Sequence, residues 1–183
     1  MRKLKSLPKF FTLLISTIVI VAVWATSVNA QAQLTERSKL ALNGIGPIKV
    51  RMTVDEASRA AGVRLVKGSS GRLCSYFKLQ EDPKGIGFLV TKGRIATVQI
   101  GNKNITSMKG AKIGDTEEQI FSLYPGQIIV TKNPLGGSGN NLTFVPRDAA
   151  DSNYRLIFWT LNRRVIYFTS GQLPEVEYSE GCL

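Results

Sequence analysis

Ile48-Lys49-Val50-Arg51-Met52-Thr53-Val54-Asp55-Glu56-Ala57 is answered 63 residues later by Ala111-Lys112-Ile113-Gly114-Asp115-Thr116-Glu117-Glu118-Gln119-Ile120. Each stretch carries the parts of a helix start. Thr53 with Glu56, and Thr116 with Gln119, have the spacing of a capping box. There the threonine oxygen accepts an orphan N–H of the first turn, and the Glu or Gln reaches back to the N–H of the cap. Asp55, Glu56, Glu117 and Glu118 put negative charge at the positive end of the helix dipole. Gly62 closes the first helix, and Pro125-Gly126 the second. Ala57, Ala60 and Ala61, like Ile120, Leu123 and Tyr124, recur at helical spacing and read as core contacts.

Downstream of each helix the pattern becomes that of strands. In the first half these are Val63–Val66, Leu73–Leu79, Ile86–Thr91 and Arg94–Ile100. In the second they are Gln127–Thr131, Asn141–Val145, Tyr154–Thr160 and Arg164–Thr169. Lys92-Gly93 and Leu161-Asn162-Arg163 turn the final hairpins, and loops at Lys67–Arg72 and Lys132–Asn140 separate earlier strands. A strand at Lys39–Leu42 and a turn at Asn43–Pro47 come first. The expected fold class is α+β: two tandem repeats, each a short helical segment followed by an antiparallel meander of about four strands. Repeat 1 covers about 39–103 and repeat 2 about 104–183.

Ahead of the repeats, residues 1–30 read as a secretory signal. Arg2, Lys3, Lys5 and Lys9 make a basic start, Phe10–Ala25 is apolar, and Val28-Asn29-Ala30 supplies small residues for cleavage. The apolar run falls short of the ~20 residues that span a bilayer; an uncleaved anchor is the alternative. The expected mature chain, 31–183, is a single exported domain with no stable membrane span, secreted or periplasmic. The 24 Lys and Arg against 13 Asp and Glu give +11, and removal of the signal leaves +7. That excess favours acidic partners, an anionic envelope polymer or lipid surface among them, or simply solvates the surface. Nucleic acid is not expected as a partner outside the cytoplasm. Cys74 and Cys182, an even pair in an oxidising compartment, suggest a disulfide; two unpaired thiols are the alternative.

These residues resemble a known family. Pro47–Thr53, the capped helix, Gly62 and the strands after it look like the β-lactamase inhibitor protein fold. The unit is also similar to that of the small lipoprotein of the outer-membrane β-barrel assembly machinery. Cys74-Ser75-Tyr76 and Glu177-Tyr178-Ser179-Glu180-Gly181-Cys182 resemble motifs of a group of uncharacterised exported bacterial proteins. The likeness covers roughly 39–182 and implies an exported bacterial module of that fold. Arg51 departs from it, because the lead-in has glycine there, as Gly114 does in the second copy. The inhibitory loops of the family have no residue-by-residue match, so no inhibitory residue carries over.

Candidate contact residues sit in loops and on the last hairpin. The Gly-rich stretch Asn133–Asn141, with Leu135, and the shorter loop with Ser69 read as a paired protein-binding edge or as flexible insertions. The stretch 133–141 lacks the Lys-Ser/Thr ending of a phosphate loop. Phe158 and Trp159 must face opposite sides of a strand, so either one ring is core and the other, with Tyr167, is a candidate interface anchor, or two-layer packing covers both sides. Arg163 and Arg164, with Arg155 nearby, form a basic spot; Lys103, Lys109 and Lys112 form another. Asn104-Ile105-Thr106 and Asn141-Leu142-Thr143 match a glycosylation sequon, by chance in a bacterial chain.

The chain has no histidine, which removes His-based triads and zinc sites. The carboxylates Glu81-Asp82, Asp148 and Asp151 have no spacing that recommends hydrolysis or calcium binding. The sequence therefore leads to an exported binding module without enzymatic activity, cofactor or metal. It would act as a protein inhibitor or a cell-envelope accessory protein, through its sheet face and loops, on an unidentified exported or envelope protein. A charge-driven binder of anionic envelope polymer is the alternative, and a carboxylate-dependent hydrolase the third reading.

Overall fold

The computed structural model describes residues 33–81, 83–133 and 137–178, which belong to one compact unit, Gln31–Leu183. Three two-residue strands open it: β1 (Leu40–Ala41), β2 (Gly44–Ile45) and β3 (Ile48–Lys49), paired in that order. Helix α1 (Val54–Ala61) leads into β4 (Leu65–Ser70), β5 (Cys74–Leu79), β6 (Ile86–Thr91) and β7 (Arg94–Ile100). Helix α2 (Glu117–Leu123) leads into β8 (Ile128–Lys132), β9 (Asn140–Phe144), β10 (Tyr154–Leu161) and β11 (Arg164–Gln172).

Both helices start on reciprocal caps. Thr53 Oγ1 accepts from the Glu56 N–H at 3.2 Å, and Glu56 Oε2 accepts from the Thr53 N–H at 2.8 Å. Thr116 and Gln119 make the same pair of bonds, at 3.3 and 2.7 Å. α1 ends on Gly62 at φ 68°, a left-handed conformation that glycine adopts without a Cβ clash. The lead-ins are also anchored alike. Arg94 Nη1 donates to the Arg51 carbonyl, and Arg164 Nη1 to the Gly114 carbonyl, each at 2.8 Å.

The expected architecture is corrected here. The described chain is mostly β, with one eight-stranded antiparallel sheet, a separate three-stranded sheet and only two helices of eight and seven residues. It is not an α+β chain of two helix-plus-meander repeats. The strand order is β4-β5-β6-β7-β11-β10-β9-β8, so the two halves merge where β7 pairs with β11. That merging removes two sheet edges that separate units would have exposed. At the join Gly171 faces Thr97, whose Cα lies 2.8 Å from where a Cβ on Gly171 would stand. Glycine there lets the two backbones approach.

One face of the large sheet carries the main core. Phe88, Val98, Phe158 and Phe168 are fully buried on it. Ala57 and Ala61 of α1, Ile120 of α2, and Ile45 and Ile48 of the small sheet close over them. Each such aliphatic or aromatic side chain contributes roughly 1.5–3 kcal/mol by leaving water. The alternation of each strand then turns Tyr76, Leu89, Gln99, Trp159 and Tyr167 to the opposite face.

Candidate functional site

The face opposite the helices holds a cleft of about 450 Å³. Its floor is built by β5, β6, β7, β11 and β10. The chain after β11 returns across this face through Leu173–Tyr178, with a 3-10 turn at Glu175–Glu177. Polar contacts hold the return in place, among them a 3.8 Å ion pair of Arg155 with Glu177. The Leu173 N–H donates to the Asn153 carbonyl at 2.8 Å, and Thr91 Oγ1 donates to Glu175 Oε1 at 3.0 Å. Val176 is buried against Ile157 and Trp159, a small second core on this side.

Among the described residues four rings line the cleft: Tyr76, Trp159, Tyr167 and Tyr178. Trp159 and Tyr167 are stacked, with centroids 5.1 Å apart and planes at 17°. The polar lining is Thr97, Gln99, Thr169 and Glu175. Gln99 Nε2 donates to the Tyr76 hydroxyl at 3.4 Å. Burial pushes the Tyr167 phenol well above its usual acidity range, and the neighbouring Tyr76 adds to the shift. The Tyr167 hydroxyl therefore stays protonated at any physiological pH. Two buried atoms of this lining, Trp159 Nε1 and Glu175 Oε2, have no hydrogen-bond partner among the described residues. An unpaired buried donor or acceptor costs about 1–3 kcal/mol.

Trp159 and Tyr167 are thus brought together, but not as free anchors. Trp159 is 5% exposed, because the return segment covers the ring that strand alternation turns away from the main core. Phe158 on the other side is fully buried, so both neighbours are covered. The return segment carries no strong periodicity, which is why its cover is not legible in the sequence.

The loop pair is not brought together. Ser69 lies exposed within β4, not in a loop, and Leu135 lies outside the described residues. β4 and β8 are the two outer strands, seven spacings or roughly 33 Å apart along the sheet at ~4.8 Å each. An odd number of antiparallel steps also makes them run oppositely, so the β4–β5 and β8–β9 hairpins sit at opposite ends. A single paired edge from these two loops is excluded by that topology.

The basic spots are likewise dispersed. Arg155 begins β10 and Arg163-Arg164 follow its far end, about 20 Å away at the rise of a strand. Arg163 pairs with Glu118, and Arg164 holds the Gly114 carbonyl. Lys112 pairs with Asp115 at 2.8 Å, and Lys109 lies 5.1 Å from the Tyr124 ring centre. Thr53, Glu56, Thr116 and Gln119 serve the helix caps described above. Cys74 is buried at the start of β5; Cys182 and the signal residues 1–30 lie outside the described residues.

No helix among the described residues is long and apolar enough to cross a membrane. Among them no group of three or more His, Cys, Asp or Glu is placed to hold a metal ion.

No protein-family model matches the chain, and no curated protein matches it. Solved structures that are similar in part include the following two. The uncharacterized protein yfeY from Escherichia coli has a TM-score of 0.47 at 15% identity, over 73% of this chain and 99% of that one. An extracellular protein containing a SCP domain from Bacillus anthracis has a TM-score of 0.45 at 10% identity, over 68% of this chain. Only 44% of that second protein is covered. Neither likeness reaches a TM-score of 0.5, and nothing about a site or an activity follows from either.

Proposed function

We propose that this chain is an exported, non-enzymatic binding module that takes its partner on the sheet face opposite the helices. The observation that carries the reading is the cleft itself. Its lining joins a stacked aromatic pair and polar side chains, and two of its residues, Trp159 and Glu175, each hold a buried polar atom with no partner among the described residues. Concave sites with an apolar body and a few converging polar groups are the usual form of a ligand site. Among the described residues that line the cleft Glu175 is the one carboxylate, whereas glycoside hydrolysis ordinarily uses two. The hydrolase reading therefore gains no support from this site. A protein inhibitor of the β-lactamase-inhibitor kind, or an envelope accessory protein, is the form the reading takes if the partner is a protein. A Cys74–Cys182 disulfide belongs to the same proposal, because it would fasten the chain beyond the return segment to β5.

The test is affinity capture of the oxidised protein from envelope and culture fractions, at low and high salt. Gln99→Arg, which places a long charged side chain on the cleft floor, is the control. Capture that survives high salt and is lost in Gln99→Arg is the expected result. Capture that Gln99→Arg leaves intact, or that salt abolishes in both proteins, overturns the reading; the second outcome favours charge-driven binding of an anionic polymer.

A further inference from the structure

The chemistry of the cleft narrows its ligand, on the condition that the cleft is the binding site. We infer that it takes a neutral, polyhydroxylated ring, a sugar unit of an envelope or extracellular glycan. Three observations lead there.

The first is charge. The chain carries an excess of Lys and Arg, yet among the described residues none of them lines this cleft, and the one carboxylate there is Glu175. An anionic ligand would meet a carboxylate and no cation. The basic character of the protein and the character of this site therefore point to different ligands.

The second is hydrogen-bonding sense. The two unpartnered atoms are one donor, Trp159 Nε1, and one acceptor, Glu175 Oε2. An ammonium ion offers only donors and an anion only acceptors. A hydroxyl offers both, and adjacent hydroxyls on one ring can answer two such groups at once. Both atoms are closed off from solvent, and the inference therefore includes a shift of the return segment that lets the ligand reach them. The remaining lining repeats the mixture: Gln99 and the Tyr76 hydroxyl bond to each other at 3.4 Å, long enough to exchange for ligand contacts.

The third is shape. Tyr76, Tyr167 and Tyr178 present ring surface beside these polar groups. Gly87 adds no side chain to the floor next to Gln99, its partner across the strands. A flat ring with an apolar C–H face and a polar rim fits walls of this kind.

Trp24, the other tryptophan of the chain, belongs to the signal 1–30, so the exported protein 31–183 carries one indole, that of Trp159. The indole N–H resonance of that protein is followed during titration with an N-acetylglucosamine trimer and with cellotriose. Tetramethylammonium serves as the cationic probe and dextran sulfate as the anionic one. The expected result is a saturable shift with at least one neutral saccharide, equal at low and high salt. Tyr76→Phe and Glu175→Gln should each weaken it about tenfold while the folded protein keeps its melting temperature. A shift with tetramethylammonium or dextran sulfate alone overturns the inference, and so does silence toward both saccharides. If the saccharides are silent but an envelope protein is still captured and lost in Gln99→Arg, the binding-module reading stands without the sugar. If both fail, both fall.

Discussion

Arg51 holds φ at 77°, in the left-handed region, at the step that Gly114 fills at 94°. A side chain there places Cβ against its own backbone, at a cost of roughly 1–2 kcal/mol. The conformation persists because both backbone groups of Arg51 are fastened: its N–H donates to the Ile95 carbonyl at 2.8 Å, and its carbonyl accepts from Arg94. Neither bond uses the Arg51 side chain. Arg51→Gly should therefore raise stability by roughly 0.5–1 kcal/mol, after the greater chain entropy of glycine is counted. Chemical denaturation of the two proteins measures it, and a loss of stability would mean that the Arg51 side chain has a structural contact of its own. The departure at Arg51 is legible in the sequence because its counterpart is a glycine. The burial of Trp159 is not legible there. Strand alternation tells that Phe158 and Trp159 face opposite ways, but not that residues 173–178 return to cover the second ring.

At the scale of elements, the helix starts are the most legible feature, because a capping box is written within four residues. The same boxes make the helices sensitive to acid. The backbone N–H and hydroxyl of Thr53 hold the Glu56 carboxyl below its ordinary value of 4.5, with Arg94 and Arg59 helping. Glu118 is lowered by its own backbone N–H, then by Thr116 and by Arg163. A carboxyl with a lowered folded value contributes stability that is present above the ordinary value and is lost as pH falls through the lowered one. Stability should thus decline as pH drops below about 4.5, and Glu56→Gln should shrink that decline. Gln119 shows that a neutral amide fills the same capping place. Denaturation curves from neutral to acid pH decide it; an unchanged acid decline in Glu56→Gln would remove Glu56 from the account. Strands were legible where β-branched residues meet a clear turn, as at Ile86–Thr91 and Arg94–Ile100. β4 runs on to Ser70 through Lys67-Gly68-Ser69, where the sequence reads as loop. There β5 supplies the pairing, across an irregularity between Lys67 and Ser70, and backbone hydrogen bonds need no strand-forming side chains.

For the whole molecule, the pairing of β7 with β11 decides the architecture. It joins residues some seventy positions apart, such as Val98 and Ser170. Hairpins announce themselves through their turns, whereas a contact at that separation leaves no local mark. That is why the sequence leaves open whether the two repeats cover each other or line up into a longer sheet, whereas in the protein they form one sheet. The cleft depends on the join, since its floor crosses from β7 to β11. A second long-range tie is the proposed Cys74–Cys182 disulfide. Closing a loop of about 108 residues would constrain the unfolded chain by up to roughly 4–5 kcal/mol. Reductant should lower the melting temperature of the exported protein markedly; an unchanged melting temperature would mean that no such bond stabilises it.

The central claim is that the sheet face opposite the helices is where this protein meets its partner. The most direct measurement is amide hydrogen exchange on the complex obtained in the capture experiment, compared with the free protein. Protection gathered on β5, β6, β7, β11 and the 173–178 return is the predicted result. Protection confined to α1, α2 or the outer hairpins, with the cleft strands unchanged, would contradict it.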